Sequence, residues 1–92
     1  MDLKDYRNQI DTIDATIRQL FEERMLIVAK IADLKMREEK PVYDHQREDE
    51  VIRKNLDSVE HEEYRQYYED VLRTIMRVSK EMQKELILRN TL

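Results

Sequence analysis

The feature that most limits the fold is a stripe of apolar residues at helical spacing near the start of the chain. From Leu3 to Leu34 the apolar residues follow one another mostly in steps of three and four, which places them on one face of an α-helix. The chain contains no glycine, and its one proline is Pro41. A residue before proline is biased away from helical geometry. We therefore predict a single long helix over residues 3–38.

The rest of the chain predicts two more helices. Asp44 is a suitable N-cap for a second, shorter helix. The sequence Asn-Leu-Asp-Ser at residues 55–58 indicates a turn, with Ser58 as a candidate N-cap for a third helix at about residues 59–88. The apolar ridge predicted for this third helix is Tyr64, Tyr68, Val71, Leu72, Ile75, Met76, Met82 and Leu86. With no strand alternation and no repeat, the fold class is all-α, in one domain spanning residues 1–92.

The length of the first helix makes a prediction about assembly. About 36 residues at a rise of 1.5 Å give a helix of about 54 Å, whereas a compact chain of this size has a radius of gyration near 12 Å, hence a diameter of roughly 32 Å. No internal proline or glycine is present to kink the helix. Because the apolar stripe covers nearly the whole helix, another copy should bury the part that protrudes. A close homodimer is the simplest solution.

Charge and composition exclude several classes of protein. The net charge of −4 argues against nucleic-acid binding by bulk attraction. No apolar run approaches the ~20 residues that span a bilayer, and no signal-peptide pattern opens the chain. The absence of cysteine removes disulfides and thiolate metal sites. We expect a cytoplasmic protein without a membrane or nucleic-acid partner.

Polar residues interrupt the apolar stripes at a few inward positions. Arg24 and Lys35 are eleven residues apart, a rotation that returns to within about 20° of the same direction, so they share one face of the first helix. Ser79 and Gln83 are four apart on the third helix. Arg7 lies about 100° around the first helix from Arg24, so it cannot easily join the same site from the same helix, but it could join from a second chain alongside.

Each of these residues, taken alone, has an ordinary structural explanation. A long basic side chain often lays its stem on apolar surface and keeps its charge in water, and serine or glutamine on a helix is usually partly exposed. Together, however, three cations and two neutral hydrogen-bonding groups occupy inward positions of one small bundle. Buried charges need partners, and an anionic ligand would supply them.

In these residues the chain resembles the all-helical class of chorismate mutase, over essentially its full length. The matching segments are Arg7-x-x-Ile10-Asp11-x-x-Asp14, Glu23-Arg24, Lys35, Lys40-Pro41-Val42-Tyr43-Asp44-x-x-Arg47-Glu48 and Ser79-x-x-x-Gln83. Any one segment is common among helices, but all of them in order and at matching separations are specific. The resemblance implies an intertwined homodimer with two equivalent active sites, and the rearrangement of chorismate to prephenate on the route to Phe and Tyr.

The resemblance also implies roles for individual residues. Arg24, with Arg7 of the partner subunit, would grip the two carboxylates of the substrate. Lys35 and Gln83 would donate hydrogen bonds to the ether oxygen between the breaking and forming bonds. The remaining positions implied by the family pattern are Glu48 and the Asp44 backbone at the ring hydroxyl, and Arg47 and Ser79 beside the carboxylates.

These residue types suit the chemistry. A guanidinium binds a carboxylate through two parallel hydrogen bonds and so fixes its orientation. The rearrangement is unimolecular and needs no nucleophile and no proton transfer, so we expect no cofactor and no metal. The enzyme can hold the reactive conformer and stabilise the negative charge that grows on the ether oxygen.

Other interpretations of the sequence are weaker. His45 and Asp49 have the spacing of metal ligands, but His61 is the only other histidine and there is no cysteine. Tyr64, Tyr67 and Tyr68 could form a stacking platform, although their helical spacing favours core packing. Two alternative functions keep the scaffold: an isochorismate pyruvate lyase, against which Glu48 argues, and a non-catalytic dimerisation module whose polar residues only set register.

Overall fold

The computed structural model describes residues 1–91, and in that range the regular structure is entirely helical. Helix α1 spans Leu3–Arg37, helix α2 spans His45–Asp57 and helix α3 spans Arg65–Thr91. A single 3₁₀ turn, Glu62–Tyr64, leads into α3. The predicted all-α chain of three helices, one of them very long, is confirmed.

Both ends of α1 have clear local causes. At the start, Asp2 and Asp5 form a capping box, in which each carboxylate accepts a hydrogen bond from the backbone N–H of the other residue. At the end, Glu39 takes a left-handed φ of 54°, and the Lys40 N–H donates to the carbonyl of Lys35 at 2.8 Å. Chains usually place glycine at such a position. Because this chain has no glycine, Glu39 adopts the strained conformation instead.

The boundary between α2 and α3 differs from the prediction. Asp44 caps α2 as expected, accepting from the Arg47 N–H at 3.0 Å, but the turn predicted at residues 55–58 is wrong, because α2 continues to Asp57. Ser58 closes α2 rather than opening α3, since its hydroxyl donates to the Lys54 carbonyl at 3.0 Å. Helix α3 consequently begins at Arg65, six residues later than predicted, and reaches three residues further, to Thr91.

The single chain is elongated and has a thin core. Its principal extents are 55 × 25 × 14 Å and its radius of gyration is 16.6 Å, against about 12 Å for a compact chain of this length. Helix α3 packs against both α1 and α2. The buried apolar side chains are Val28, Ala32, Leu56, Leu72 and Met76.

Much of the predicted apolar surface is uncovered in one chain. The α1 stripe from Leu3 to Leu34 is largely exposed. In α3 only Leu72 and Met76 of the predicted ridge are buried. The tyrosines at 64, 67 and 68 are also exposed, so the prediction that they form core is wrong for the isolated chain.

Candidate active site

The polar residues that interrupt the apolar stripes line one cleft, where α1, α3 and the start of α2 meet. The volume of this cleft is about 250 Å³, somewhat below the roughly 300–1,000 Å³ of typical ligand pockets. Its polar lining consists of Arg24, Lys35, Asp44, Arg47, Glu48, Ser79, Lys80 and Gln83, and its apolar wall of Val28, Ile31, Val42, Val51 and Met76. Seven of the eight residues predicted for the site are therefore brought together by a single chain.

Arg24 is anchored across the α1–α3 interface. Its Nη1 donates a hydrogen bond to the Ser79 hydroxyl, and that hydroxyl donates in turn to the Ile75 carbonyl at 2.7 Å. Ser79 is only 5% exposed, so the serine is a fixed acceptor. A guanidinium has five N–H donors, and Arg24 makes no ion pair within residues 1–91. It is thus oriented by a neutral group while its charge is not neutralised.

Lys35 joins α1 to the loop that enters α2. Its Nζ donates to the Val42 carbonyl at 2.9 Å, which uses one of the three donors of the ammonium. Among the described residues it too has no carboxylate partner. Lys35 therefore fixes the loop that carries Asp44 and keeps its positive charge at the cleft.

Gln83 is the most unusual group in the cleft. The residue is only 7% exposed, and its Oε1 is buried without a hydrogen-bond partner within residues 1–91. An unpaired buried polar atom is costly and calls for a specific explanation. Gln83 faces the same cleft as Lys35, so the arrangement places a neutral amide and an ammonium at one ligand site.

The first turn of α2 contributes both charge signs. The Asp44 carboxylate caps the N-terminus of α2 by accepting a hydrogen bond from the Arg47 N–H. Arg47 donates through Nη1 to Glu50 at 2.7 Å. Glu48 forms an ion pair with Lys80 of α3, with 3.1 Å between Glu48 Oε1 and Lys80 Nζ.

Lys80 was missed by sequence reasoning. The signal that could have found it is its position beside Ser79 and three residues before Gln83, on the flank of the inward face of α3. Recognising its partner would have required knowing how α2 packs on α3.

The cleft is electropositive although the protein is acidic. Its lining carries four cationic side chains (Arg24, Lys35, Arg47 and Lys80) in a chain of net charge −4. Lys80 is paired with Glu48 and Arg47 with Glu50, so Arg24 and Lys35 are the two lining cations without a carboxylate partner among residues 1–91. A second groove of about 160 Å³, between the C-terminal parts of α1 and α3, has a mainly apolar lining without a cation. The first cleft is the one suited to a doubly charged anion.

Arg7 does not belong to this cleft within one chain. It is exposed on the N-terminal part of α1, seventeen residues before Arg24, or about 26 Å along the helix axis. Its predicted contribution from a partner subunit stays a prediction.

The residues considered for other chemistry are elsewhere on the surface. His45 bonds Asp49 through Nε2 at 3.2 Å and the Tyr43 hydroxyl through Nδ1 at 2.8 Å, so both ring nitrogens are engaged. Residues 1–91 hold no group of three or more His, Cys, Asp or Glu able to bind a metal. In the same range, no helix is both long enough and apolar enough to cross a bilayer.

Fold and site together define a class of protein: a small all-helical scaffold with a cleft lined by cationic side chains. Comparison with family models identifies that class more closely, since residues 6–84 match the model described as chorismate mutase type II. The match covers most of the 92 residues, and the chain belongs to the chorismate mutase type II family, whose members are isomerases. The resemblance drawn from the sequence motifs is confirmed. Searches of curated proteins and of solved structures returned no significant match.

Proposed function

We propose that this protein converts chorismate to prephenate by a Claisen rearrangement, on the route to Phe and Tyr. The observation that carries the proposal is the cleft in which Arg24 and Lys35 of α1 face Ser79 and Gln83 of α3. Its two cations without a carboxylate partner among residues 1–91, Arg24 and Lys35, suit a dicarboxylate. Family membership favours this enzymatic interpretation over a non-catalytic dimerisation module.

Substrate binding rests on the two arginines. Arg24, already oriented by Ser79, offers its remaining donors to one carboxylate, because planar guanidinium and carboxylate groups pair through two parallel bonds. Arg7 of the partner subunit holds the second carboxylate. Fixing both ends of the substrate removes rotational freedom and holds the side arm over the ring, which is a large part of what an enzyme can do for a unimolecular reaction.

Lys35 and Gln83 act on the ether oxygen. As the C–O bond breaks, negative charge grows on this oxygen, and a fixed donor in a water-poor site is worth about 3–4 kcal/mol there. The buried atom of the Gln83 amide is its carbonyl oxygen, which leaves the NH₂ group, with its two donors, as the end available to the substrate.

Because an amide donor does not titrate, activity should persist at neutral and mildly alkaline pH. We expect kcat to change by less than about threefold between pH 6 and pH 8, since a neutral amide keeps its donor throughout this range. The measurement is initial rates at saturating substrate in a constant-ionic-strength buffer series. A steep loss of kcat across that interval would contradict the role given to Gln83.

Residues of α2 complete the substrate contacts. The Glu48 carboxylate and the Asp44 backbone hold the ring hydroxyl, which donates a hydrogen bond to the carboxylate. Arg47 and Ser79 support the carboxylates, and for this Arg47 must turn from its partner Glu50, a small step because that pair is largely exposed.

The complete site requires an intertwined homodimer. The apolar stripe of α1 is uncovered in one chain, from Leu3 through Ile17 to Leu34, and an apolar surface of this extent marks a protein interface. A second copy lying along α1 would cover the stripe and bring its Arg7 to the cleft.

The direct test is the loss of chorismate absorbance on adding purified protein, with the appearance of prephenate followed in parallel. Isochorismate is assayed side by side, with pyruvate as the readout, because the lyase alternative uses a similar cationic pocket. Conversion of chorismate alone supports the proposal. Pyruvate release from isochorismate without prephenate formation would overturn it in favour of the lyase.

A further inference from the structure

Lys80 has a geometry that sets it apart from the other basic residues of α3. Its Nζ lies 3.1 Å from Glu48 Oε1 and 3.2 Å from Glu48 Oε2, so the ammonium spans both carboxylate oxygens. The same Nζ lies 4.8 Å from the centre of the Tyr43 ring, within the range of a cation–π interaction. One ammonium thus contacts the loop before α2 and the first turn of α2.

The Lys80–Glu48 pair also differs from the surface ion pairs of the chain. Its side chains are 28% and 21% exposed, whereas Arg77 and Glu81 of the same helix are 60% and 62% exposed. Most of the other pairs join residues three or four apart on one helix, but Lys80 and Glu48 are 32 residues apart in sequence. Partial burial reduces solvent screening, so this pair is the one best placed to affect a ligand.

From this geometry we propose that Lys80 is a positioning residue for the reaction, acting through Glu48. It holds the Glu48 carboxylate where the ring hydroxyl of the substrate meets it, and it offsets the negative charge that Glu48 brings to a site for a dianion. This inference rests on the proposed function and goes beyond it, because it assigns a role to a residue at an unspecified position of the segment Ser79-x-x-x-Gln83.

Removing Lys80 should change substrate binding more than chemistry. Without it Glu48 loses both the positive charge that offsets its own and the group that fixes its position. The ring hydroxyl and the two carboxylates take no part in the bonds that break and form. Their contacts are therefore similar in the ground state and the transition state, and losing such uniform binding raises KM while leaving kcat little changed.

The test compares Lys80→Met with the matched control Lys84→Met. Lys84 is an exposed lysine one turn further along α3, and methionine keeps most of the length of the lysine stem in both variants. For Lys80→Met we expect KM for chorismate to rise about tenfold, which corresponds to the loss of one hydrogen bond to a charged group. The value of kcat should stay within about twofold of wild type. Lys84→Met should keep the wild-type KM and kcat. Lys80→Arg, which keeps the positive charge, should have a KM within about threefold of wild type.

A double-mutant cycle with Glu48→Gln shows whether Lys80 acts through Glu48. If it does, Lys80→Met should cost at least about fivefold less in the Glu48→Gln background than in the wild type, because coupled residues give non-additive effects. Additive effects on kcat/KM would overturn the inference, as would a Lys80→Met enzyme that loses melting temperature and active fraction while keeping the wild-type KM. A wild-type protein that leaves chorismate unchanged would instead overturn the proposed function, and this inference with it.

Discussion

The two halves of α1 carry the same apolar periodicity but lie in different surroundings. Up to Glu23 the helix is exposed apart from the partly buried Ala15, although this stretch includes Ile10, Ile13 and Ile17. From Arg24 onward Val28 and Ala32 are buried, α1 packs against α3, and Arg24 and Lys35 line the cleft. The periodicity therefore predicts which face is apolar, but it does not tell which chain covers that face.

This contrast explains why a single chain presents a nearly complete site. The C-terminal half of α1 obtains its neighbours from its own chain, so Arg24 and Lys35 are already oriented by Ser79 and by the Val42 carbonyl. The N-terminal half, which carries Arg7, is almost entirely exposed in one chain. Within the proposed dimer, each active site joins the C-terminal half of one α1 to the N-terminal half of the other.

The largest effect is expected from the cations of the C-terminal half. Replacing Lys35 or Arg24 by alanine should lower kcat/KM by about 10²–10³-fold, because each removes a preorganised charged donor. Circular dichroism should show unchanged helicity. Lys30→Ala, which removes an exposed cation from the same half of α1, is the matched control. Near-full activity in either active-site variant would contradict the roles assigned here.

Arg7 gives the sharpest test of the N-terminal half. Arg7→Ala should lower kcat/KM by about 10²-fold, through loss of one charged contact to a carboxylate. Unfolding and refolding an equimolar mixture of Arg7→Ala and Lys35→Ala chains should then recover about one quarter of wild-type activity. In a symmetric dimer about half of the random pairs are hybrids, and each hybrid has one of its two sites intact.

The hybrid experiment separates a shared site from a site within one chain. Each variant refolded alone is the control and should remain nearly inactive. If the mixture gains no activity over the two variants alone, while refolded wild type recovers fully, Arg7 does not act from the partner subunit.

A smaller effect is expected from the apolar stripe itself. Ile13→Glu should shift the protein from dimer to monomer at micromolar concentration. Burying an isoleucine stabilises by about 1.5–3 kcal/mol, and this burial is lost in both subunits of a two-fold symmetric dimer. Sedimentation velocity measures the shift. Asn8→Glu, about 140° away around α1, is the control and should remain dimeric. A wild-type protein that sediments as a monomer would refute the homodimer.

Sequence reasoning succeeded where one physical cause dominates. The uninterrupted stripe and Pro41 placed the end of α1 within one residue of Arg37, and Asp44 caps α2 as predicted. Helical geometry alone put Arg24 with Lys35 and Ser79 with Gln83, and the structure brings both pairs to one cleft. These inferences needed only spacing along one helix.

Sequence reasoning failed where one residue can serve either of two helices, and where a contact depends on how the helices pack together. Ser58 can cap either neighbouring helix, and its bond to the Lys54 carbonyl decides for α2. The Lys80–Glu48 pair joins two helices across 32 residues, which no pattern along one helix reveals. The tyrosines at 64, 67 and 68 have core spacing but lie exposed in one chain, because the spacing does not specify what packs against them.

The smallest effect is expected from the N-cap of α1, which stabilises only the first turn of the N-terminal half. In an N-terminal half with so few neighbours from its own chain, the capping box of Asp2 and Asp5 is a main local source of order. Asp2→Ala should lower the free energy of unfolding by about 1 kcal/mol, as lost N-caps generally do, and should leave kcat/KM unchanged. Urea denaturation followed by circular dichroism measures the change. A loss of several kcal/mol would contradict this prediction, because it would mean that the Asp2 carboxylate makes contacts beyond the capping box.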